Sequence, residues 1–368
     1  MFELTISKQQ LLTPLLTVVG AVDKKQSLVI LSNILLKLTE DHLFLTATDL
    51  EIEITSCVDI ANVNGTGIVT VPAKKLIDIV RLLDDNANPT ISFNSNIVTI
   101  KEGRSVFKLA TLPADDYPNS NEEANEAEFS IQKAALLHLL QATHFAMSQN
   151  DARIFLNGLF VEIDAQKITA VATDGHRMAI CHMPCPLNND HHRLLIPRNG
   201  IQEILKMLSI VTDEEIQVCI GKRHFKLITK QYTFSTKLIE ARFPPYNKVI
   251  PKSQDKQLII DRDLLKRALS RIIILANEKS RAVLMHIQPQ LVTLIANNQE
   301  QEEAIESLTA ETTGDEIKIG INASYLLDVL NNIPDGSVRL SLAKNDSSIL
   351  VESLKDENYM YIIMPMKI

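Results

Sequence analysis

Cysteine is scarce in this chain of 368 residues: Cys57, Cys181, Cys185 and Cys219 are all it has. Four scattered thiols cannot staple a chain of this length, which excludes a disulfide framework and favours a reducing compartment. Cys181 and Cys185, followed by His191 and His192, offer donor atoms, but their intervals fit no standard zinc spacing. No metal is expected. Long apolar runs are also missing. The stretch Ile272, Ile273, Ile274, Leu275, Ala276 is among the longest, far short of the ~18 residues a membrane-spanning helix needs. The first ten residues, MFELTISKQQ, lack the basic patch, apolar stretch and cleavage site of a secretory signal. A cytoplasmic, membrane-free protein is therefore expected. Catalytic signatures are absent too: there is no Gly-x-Ser-x-Gly, His-Glu-x-x-His, glycine-rich phosphate loop or dinucleotide fingerprint. The chain is read as a non-enzyme with no catalytic residues and no cofactor.

What is present is the composition of an ordinary globular chain, 45% apolar and 22% charged, long enough for two to four domains. The net charge of −8 argues, taken globally, against nucleic acid, because affinity for phosphates comes from cations. Its distribution is uneven. Residues 1–127 carry −7, residues 128–253 carry +4 and residues 254–368 carry −5. An acidic protein can still hold DNA if its basic side chains gather on one surface.

The strongest signal is internal repetition. A strand leading into a Leu-Leu helix opening occurs at Ile6 to Leu12, at Ile131 to Leu137 and at Ile259 to Leu265, at intervals of 125 and 128. A strand running into a turn ends at Thr48-Asp49, Thr173-Asp174 and Asn297-Asn298, at intervals of 125 and 124. A second strand–helix unit starts at Val71, Ile196 and Ile321, at intervals of 125 each. Three landmarks in constant order define three repeats: 1–127, 128–253 and 254–368. Each repeat holds two amphipathic helices among alternating strands. The expected buried stripes are Leu11, Leu12, Leu15, Leu16 and Val19 in repeat one, and Leu136, Leu137 and Leu140 in repeat two. In repeat three the stripe is Leu264, Leu265, Ala268, Leu269 and Ile272.

The other helix faces carry Lys8, Lys74, Lys75, Arg81, Lys133, Arg198, Lys206, Lys266, Arg267 and Arg271. Singly, each reads as a solvated cation; on equivalent elements of three repeats, they read as a shared surface. Short polar linkers fall at 119–128 and 251–256. The fold class expected is α+β, three tandem domains with helices lining an inner face and sheets outside. Two such arcs joined head to tail would close a ring without exposed sheet edges, able to surround a charged rod through sequence-independent phosphate contacts.

Several segments carry a family resemblance over essentially the whole chain. They are Thr173-Asp174-Gly175-His176-Arg177, Leu156-Asn157-Gly158, Thr111-Leu112-Pro113, Arg242-Phe243-Pro244, Asn277-Glu278-Lys279, residues 299–304 (QEQEEA) and Met364-Pro365-Met366. In these the chain resembles the bacterial beta sliding clamps, the processivity subunits of the replicative DNA polymerase (DNA polymerase III subunit beta). The resemblance implies a homodimeric ring linked to duplex DNA. It also implies a hydrophobic pocket for short linear peptides of the polymerase, the clamp loader and translesion and repair proteins. Its matching positions are Leu156, Thr173, Gly175, His176, Arg177, Met178, Pro244, Lys248, Val249, Ser348, Ile362, Ile363, Met364, Pro365 and Met366. Lys248 stands where an arginine is usual. For DNA contact the resemblance points to Lys25, Lys74, Asn150, Ile154 and Phe155. For the dimer edge it points to Arg104 and Phe107 against Ile274, Leu275 and the acidic 300–306 segment.

Competing readings attach to the same residues. Asp174, His176 and Arg177 could supply acid, base and oxyanion groups, but Asp-Gly between two strands is first a hairpin-turn signal. Met364-Pro365-Met366 could be chain-end packing. A peptide-binding scaffold that never encircles DNA would suit the negative charge, and the absence of any salt dependence in DNA association would favour it.

Overall fold

The computed structural model describes residues 2–23, 28–61, 63–94, 96–118, 124–185, 191–251, 256–334, 336–342 and 348–367. Among the described residues six α-helices recur in pairs, one pair per repeat: α1 (Lys8–Val18), α2 (Ala73–Leu82), α3 (Lys133–Gln141), α4 (Arg198–Ile210), α5 (Arg262–Ile272) and α6 (Ala323–Asn332). Their starts are set locally. Ser7, Asp261 and Asn322 each cap an N-terminus by accepting from backbone N–H groups of the first turn. α5 buries Leu265, Ala268, Leu269 and Ile272 at helical spacing, while Leu264 of the expected stripe is half-buried. In α1 the buried stripe is Leu11, Pro14, Leu15 and Val18, and Leu16 is 44% exposed. The paired leucines cannot all face inward on one helix, so the stripe follows the i, i+4, i+7 row.

The chain divides into two compact units, residues 1–134 with 199–238, and residues 135–198 with 239–368. Among the described residues every ladder is antiparallel. The first unit holds a five-stranded sheet ordered Val63–Asn64, Phe2–Thr5, Thr90–Asn94, Ile97–Glu102, Ser105–Ala110. It also holds an eight-stranded sheet in which Tyr232–Lys237 of repeat two pairs with Ile52–Asp59 of repeat one, Phe234 opposite Ile54. The second unit repeats that seam. In its nine-stranded sheet Arg177–Pro184 of repeat two pairs with Tyr359–Ile363 of repeat three, Ala179 opposite Tyr361. Its four-stranded sheet is ordered Glu303–Thr309, Leu291–Asn297, Ala282–Gln288, Ile317–Asn322. The middle repeat is thus shared between two continuous sheets. No described helix is long and apolar enough to cross a membrane.

Three of the cations assigned to an outward helix face, Lys8, Lys133 and Arg198, lie elsewhere. Lys8 is 8% exposed, and its Nζ donates to Leu83 O at 2.6 Å, just beyond α2, and to Asp85 Oδ1 at 3.0 Å. Lys133 Nζ donates to Val211 O at 2.7 Å, just beyond α4, and Arg262 Nε donates to Leu330 O at 2.9 Å in the last turn of α6. The first residue of one helix in each repeat therefore satisfies a carbonyl at the C-terminal end of that repeat's second helix, where the helix dipole favours a cation. Arg198 likewise donates to Met147 O at 2.6 Å, and burial lowers its pKa. No ion pair to a described residue holds Lys74, Lys75, Arg81, Lys266 or Arg267.

Candidate peptide-binding site

The site is built on one hairpin. Strands Lys167–Thr173 and Arg177–Pro184 are joined by Asp174, Gly175 and His176, with Gly175 at φ 89°, the left-handed conformation that glycine adopts without steric cost. Asp174 Oδ1 accepts from the N–H groups of His176 (2.9 Å) and Arg177 (3.0 Å), while Thr173 Oγ1 donates to Arg177 O (2.7 Å) and accepts from Gly175 N–H. Asp174 is thus engaged in the turn and His176 is exposed, an arrangement that forms no acid–base pair. The turn reading of this segment holds.

Beside the hairpin lies an apolar cluster. Met178 and Ile362 are cross-strand partners, and they join Phe160, Val171, Ile180, Leu195, Phe243 and Leu350 in one buried group. Phe160 and Phe243 stack at 4.6 Å with their planes 5° apart, and Phe155 meets Phe243 edge-on at 6.3 Å. Tyr246 packs on the cluster and donates its hydroxyl to Glu162 Oε2 at 3.1 Å; burial foremost, then Glu162, pushes its pKa up to about 12. Lys248 ends the short turn Tyr246–Lys248 and, with Pro244 and Val249, lies at the exposed rim. Leu156 and Ile363 are buried, and Ser348 is half-buried.

The chain end completes the surface. Met364 N–H donates to His176 O at 2.8 Å and Met366 N–H to Gly320 O at 2.9 Å, so backbone bonds pin the segment at both ends of Met364-Pro365-Met366. Met364 nevertheless leaves its side chain 42% exposed. A flexible thioether presented beside an aromatic-floored cluster is adaptable apolar surface for a ligand. Sequence reasoning missed the floor residues Phe160, Leu195, Phe243 and Leu350. On a strand they look like any core residue, and only pairing shows which sheet face they share.

Repeat one carries the same turn without the apolar cluster. Asp49 Oδ1 accepts from the N–H groups of Glu51 and Ile52, and Lys237 N–H donates to Glu51 O as Met364 N–H does to His176 O. There the cross-strand pair matching Met178 and Ile362 is Glu53 and Ser235. Polar groups occupy the place of the apolar floor, so the turn alone does not make a site.

The other candidate positions fall as follows. Lys25 lies outside the described residues. Lys74 is exposed on α2 in the first unit, while Asn150 (φ 56°) and Ile154 (55% exposed) lie in the second. Phe155 packs against the pocket cluster. Arg104 follows the turn at Gly103, Phe107 lies in the sheet-edge strand Ser105–Ala110, and Ile274 is 74% exposed beside half-buried Leu275 in the turn Ile273–Leu275. Asp151 accepts from Arg153, and that hydrogen bond lowers its pKa to about 2.

Comparison with known proteins matches this architecture repeat by repeat. Models of the DNA polymerase III beta subunit N-terminal, central and C-terminal domains match residues 2–121, 130–245 and 247–367. The beta sliding clamp of Pseudomonas putida is 39% identical over 367 residues, and that of Escherichia coli K12 is 38% identical over 364, each alignment covering 99% of both chains. A crystal structure of the sliding clamp from Pseudomonas aeruginosa bound to griselimycin superimposes with a TM-score of 0.96 at 39% identity, covering all of both chains. The three repeats are three tandem clamp domains, and the chain belongs to the DNA polymerase III beta subunit family, the beta sliding clamps.

Proposed function

We propose that two copies of the chain join head to tail into a ring around duplex DNA. On this reading the cluster around Met178, Ile362 and Met364 takes short peptide segments of the replicative polymerase, the clamp loader and repair proteins, holding them on the template. The chain acts in the cytoplasm as a non-catalytic processivity factor, with domains 1–127, 128–253 and 254–368. Lys25, Lys74, Asn150, Ile154 and Phe155 would meet DNA, through phosphate contacts that let the ring slide. The fifteen positions from Leu156 to Met366 named for the pocket would form it, Arg177 as a support of its wall and not as a direct peptide ligand.

The observation that carries ring closure is strand pairing. Repeat one is joined to repeat two, and repeat two to repeat three, by the same antiparallel seam in the same register. Among the described residues, the strands equivalent to the two halves of that seam in repeats one and three each keep one open edge. Ser105–Ala110 is one edge of the five-stranded sheet, and Glu303–Thr309 one edge of the four-stranded sheet. Phe107 occupies the place of Phe234 and Tyr361, and Ala304 that of Ile54 and Ala179, as the ladders through each repeat require. Carrying the register across sets Val106 (53% exposed) of one copy opposite Ile305 (60% exposed) of the other, and Lys108 opposite Glu303. Apolar meets apolar and cation meets anion, as cross-strand stability requires. Phe107 lies on that edge, and Arg104, Ile274 and Leu275 would flank it.

The experiment is retention on nicked circular DNA after loading by the clamp loader, before and after the circle is linearised. Release on linearisation is expected. Retention on both forms would mean ordinary affinity and would remove the ring mechanism.

A further inference from the structure

Arg177 is the most heavily engaged cation in the second unit. Its side chain is 11% exposed, and its Nε donates to Asp174 Oδ2 at 3.1 Å, its Nη1 to Asp328 Oδ2 at 2.5 Å and its Nη2 to Phe145 O at 2.9 Å. The guanidinium lies 4.6 Å from the ring centre of Tyr325 and 5.4 Å from that of Phe145. With its fork committed in this way, Arg177 is a poor direct ligand for a peptide. It is well placed to hold the hairpin that carries Gly175 and His176.

Asp328 supplies the far anchor. Tyr325 and Asp328 stand three residues apart on α6, hence on one helix face, and α6 is fixed at its start by Asn322 Oδ1, which accepts from Ser324 and Tyr325 N–H. Strand Ile317–Asn322 leads directly into that cap and receives Met366 N–H at Gly320 O, while Met364 N–H reaches His176 O. A closed circuit results: hairpin, chain end, strand Ile317–Asn322, α6, and back through Asp328 to Arg177. The return from α6 to the hairpin is made by side chains: the charge-assisted bond between Arg177 and Asp328, whose carboxylate is 43% exposed and so open to competition from water, beside the contacts of Arg177 and His176 with the Tyr325 ring.

We propose that Asp328 is a positioning residue for peptide recognition. By anchoring Arg177 it sets the hairpin Thr173–Arg177 against the chain end before a peptide arrives, so that binding need not order that wall. The inference rests on the pocket reading above.

The test uses the full-length protein and a labelled synthetic peptide copied from the clamp-binding segment of the same organism's replicative polymerase. Asp328→Ala should weaken peptide binding by on the order of tenfold, the size of one charge-assisted hydrogen bond, with dimer mass unchanged. In an Arg177→Ala background the same substitution should have no further effect, because Asp328 acts through Arg177. Asp328→Asn, which keeps shape and an acceptor, should fall between wild type and Asp328→Ala and should speed amide hydrogen exchange at Gly175, His176 and Arg177. Wild-type affinity in Asp328→Ala, or an equal loss with and without Arg177, would overturn the proposal. A wild-type protein that does not bind the peptide would instead overturn the pocket reading on which it rests.

Discussion

Ile305→Ala probes ring closure at the most exposed apolar residue of the edge strand Glu303–Thr309. Ile305 lies on the edge strand Glu303–Thr309 and is 60% exposed in the single chain. Full burial of such a side chain is worth roughly 1.5–3 kcal/mol, so the share still open to water transfers about 1–2 kcal/mol when the edge is covered. A head-to-tail dimer has two such edges, and dissociation loses both, so the truncation should cost about 2–4 kcal/mol of dimer free energy. At tenfold per 1.4 kcal/mol that is a dissociation constant raised about thirtyfold to a thousandfold. Sedimentation equilibrium over a dilution series reads this directly, with Ile68→Ala, 47% exposed on the edge strand Gly67–Pro72 of the eight-stranded sheet, as the control. The same assay tests register. Lys108→Glu and Glu303→Lys should each favour monomer, and the pair combined should recover dimer, whereas a two-residue slip would set Lys108 against Ile305 and give no recovery. A dissociation constant for Ile305→Ala within threefold of wild type would refute the edge-to-edge model.

Two further outcomes follow from the pocket unit. Removing residues 364–368 deletes the backbone bonds to His176 and Gly320 and the exposed Met364 side chain; fluorescence anisotropy should show peptide binding abolished while sedimentation still reports dimer. Unchanged peptide affinity would return Met364-Pro365-Met366 to chain-end packing. Near the site, Asp151 is held low by its hydrogen bond to Arg153. A depressed folded-state pKa contributes stability that is present above the ordinary carboxylate value of 3.8 and is lost as pH falls through about 2. The Asp151 carboxyl resonance should therefore titrate near 2, moving toward 3.8 in Arg153→Gln; a midpoint already at 3.8 in the wild type would show the turn open in solution.

Hairpin and helix positions were legible because the forces that set them are local. Asp174 and Gly175 make their turn from their own side chain and backbone freedom, and α1, α5 and α6 begin at the caps Ser7, Asp261 and Asn322. The basic helix faces were legible only in part. Lys8 and Lys133 look like any surface lysine until the C-terminal end of a second helix, more than seventy residues away, comes within reach of each. Arg177 carries the family motif, but its partners Asp328 and Phe145 are distant in the chain, so its commitment to them could not be read from neighbours.

By itself the sequence determined three repeats, a mixed helix and strand content, and the family to which their motifs belong, since periodicity and short motifs survive in one dimension. Tertiary structure alone decided that the middle repeat is shared between two sheets, that Phe160, Leu195, Phe243 and Leu350 join one buried apolar cluster, and that the equivalent cross-strand pair in repeat one is polar. Strand partners are chosen by non-local pairing, and a face becomes apolar only when both strands put apolar residues on it.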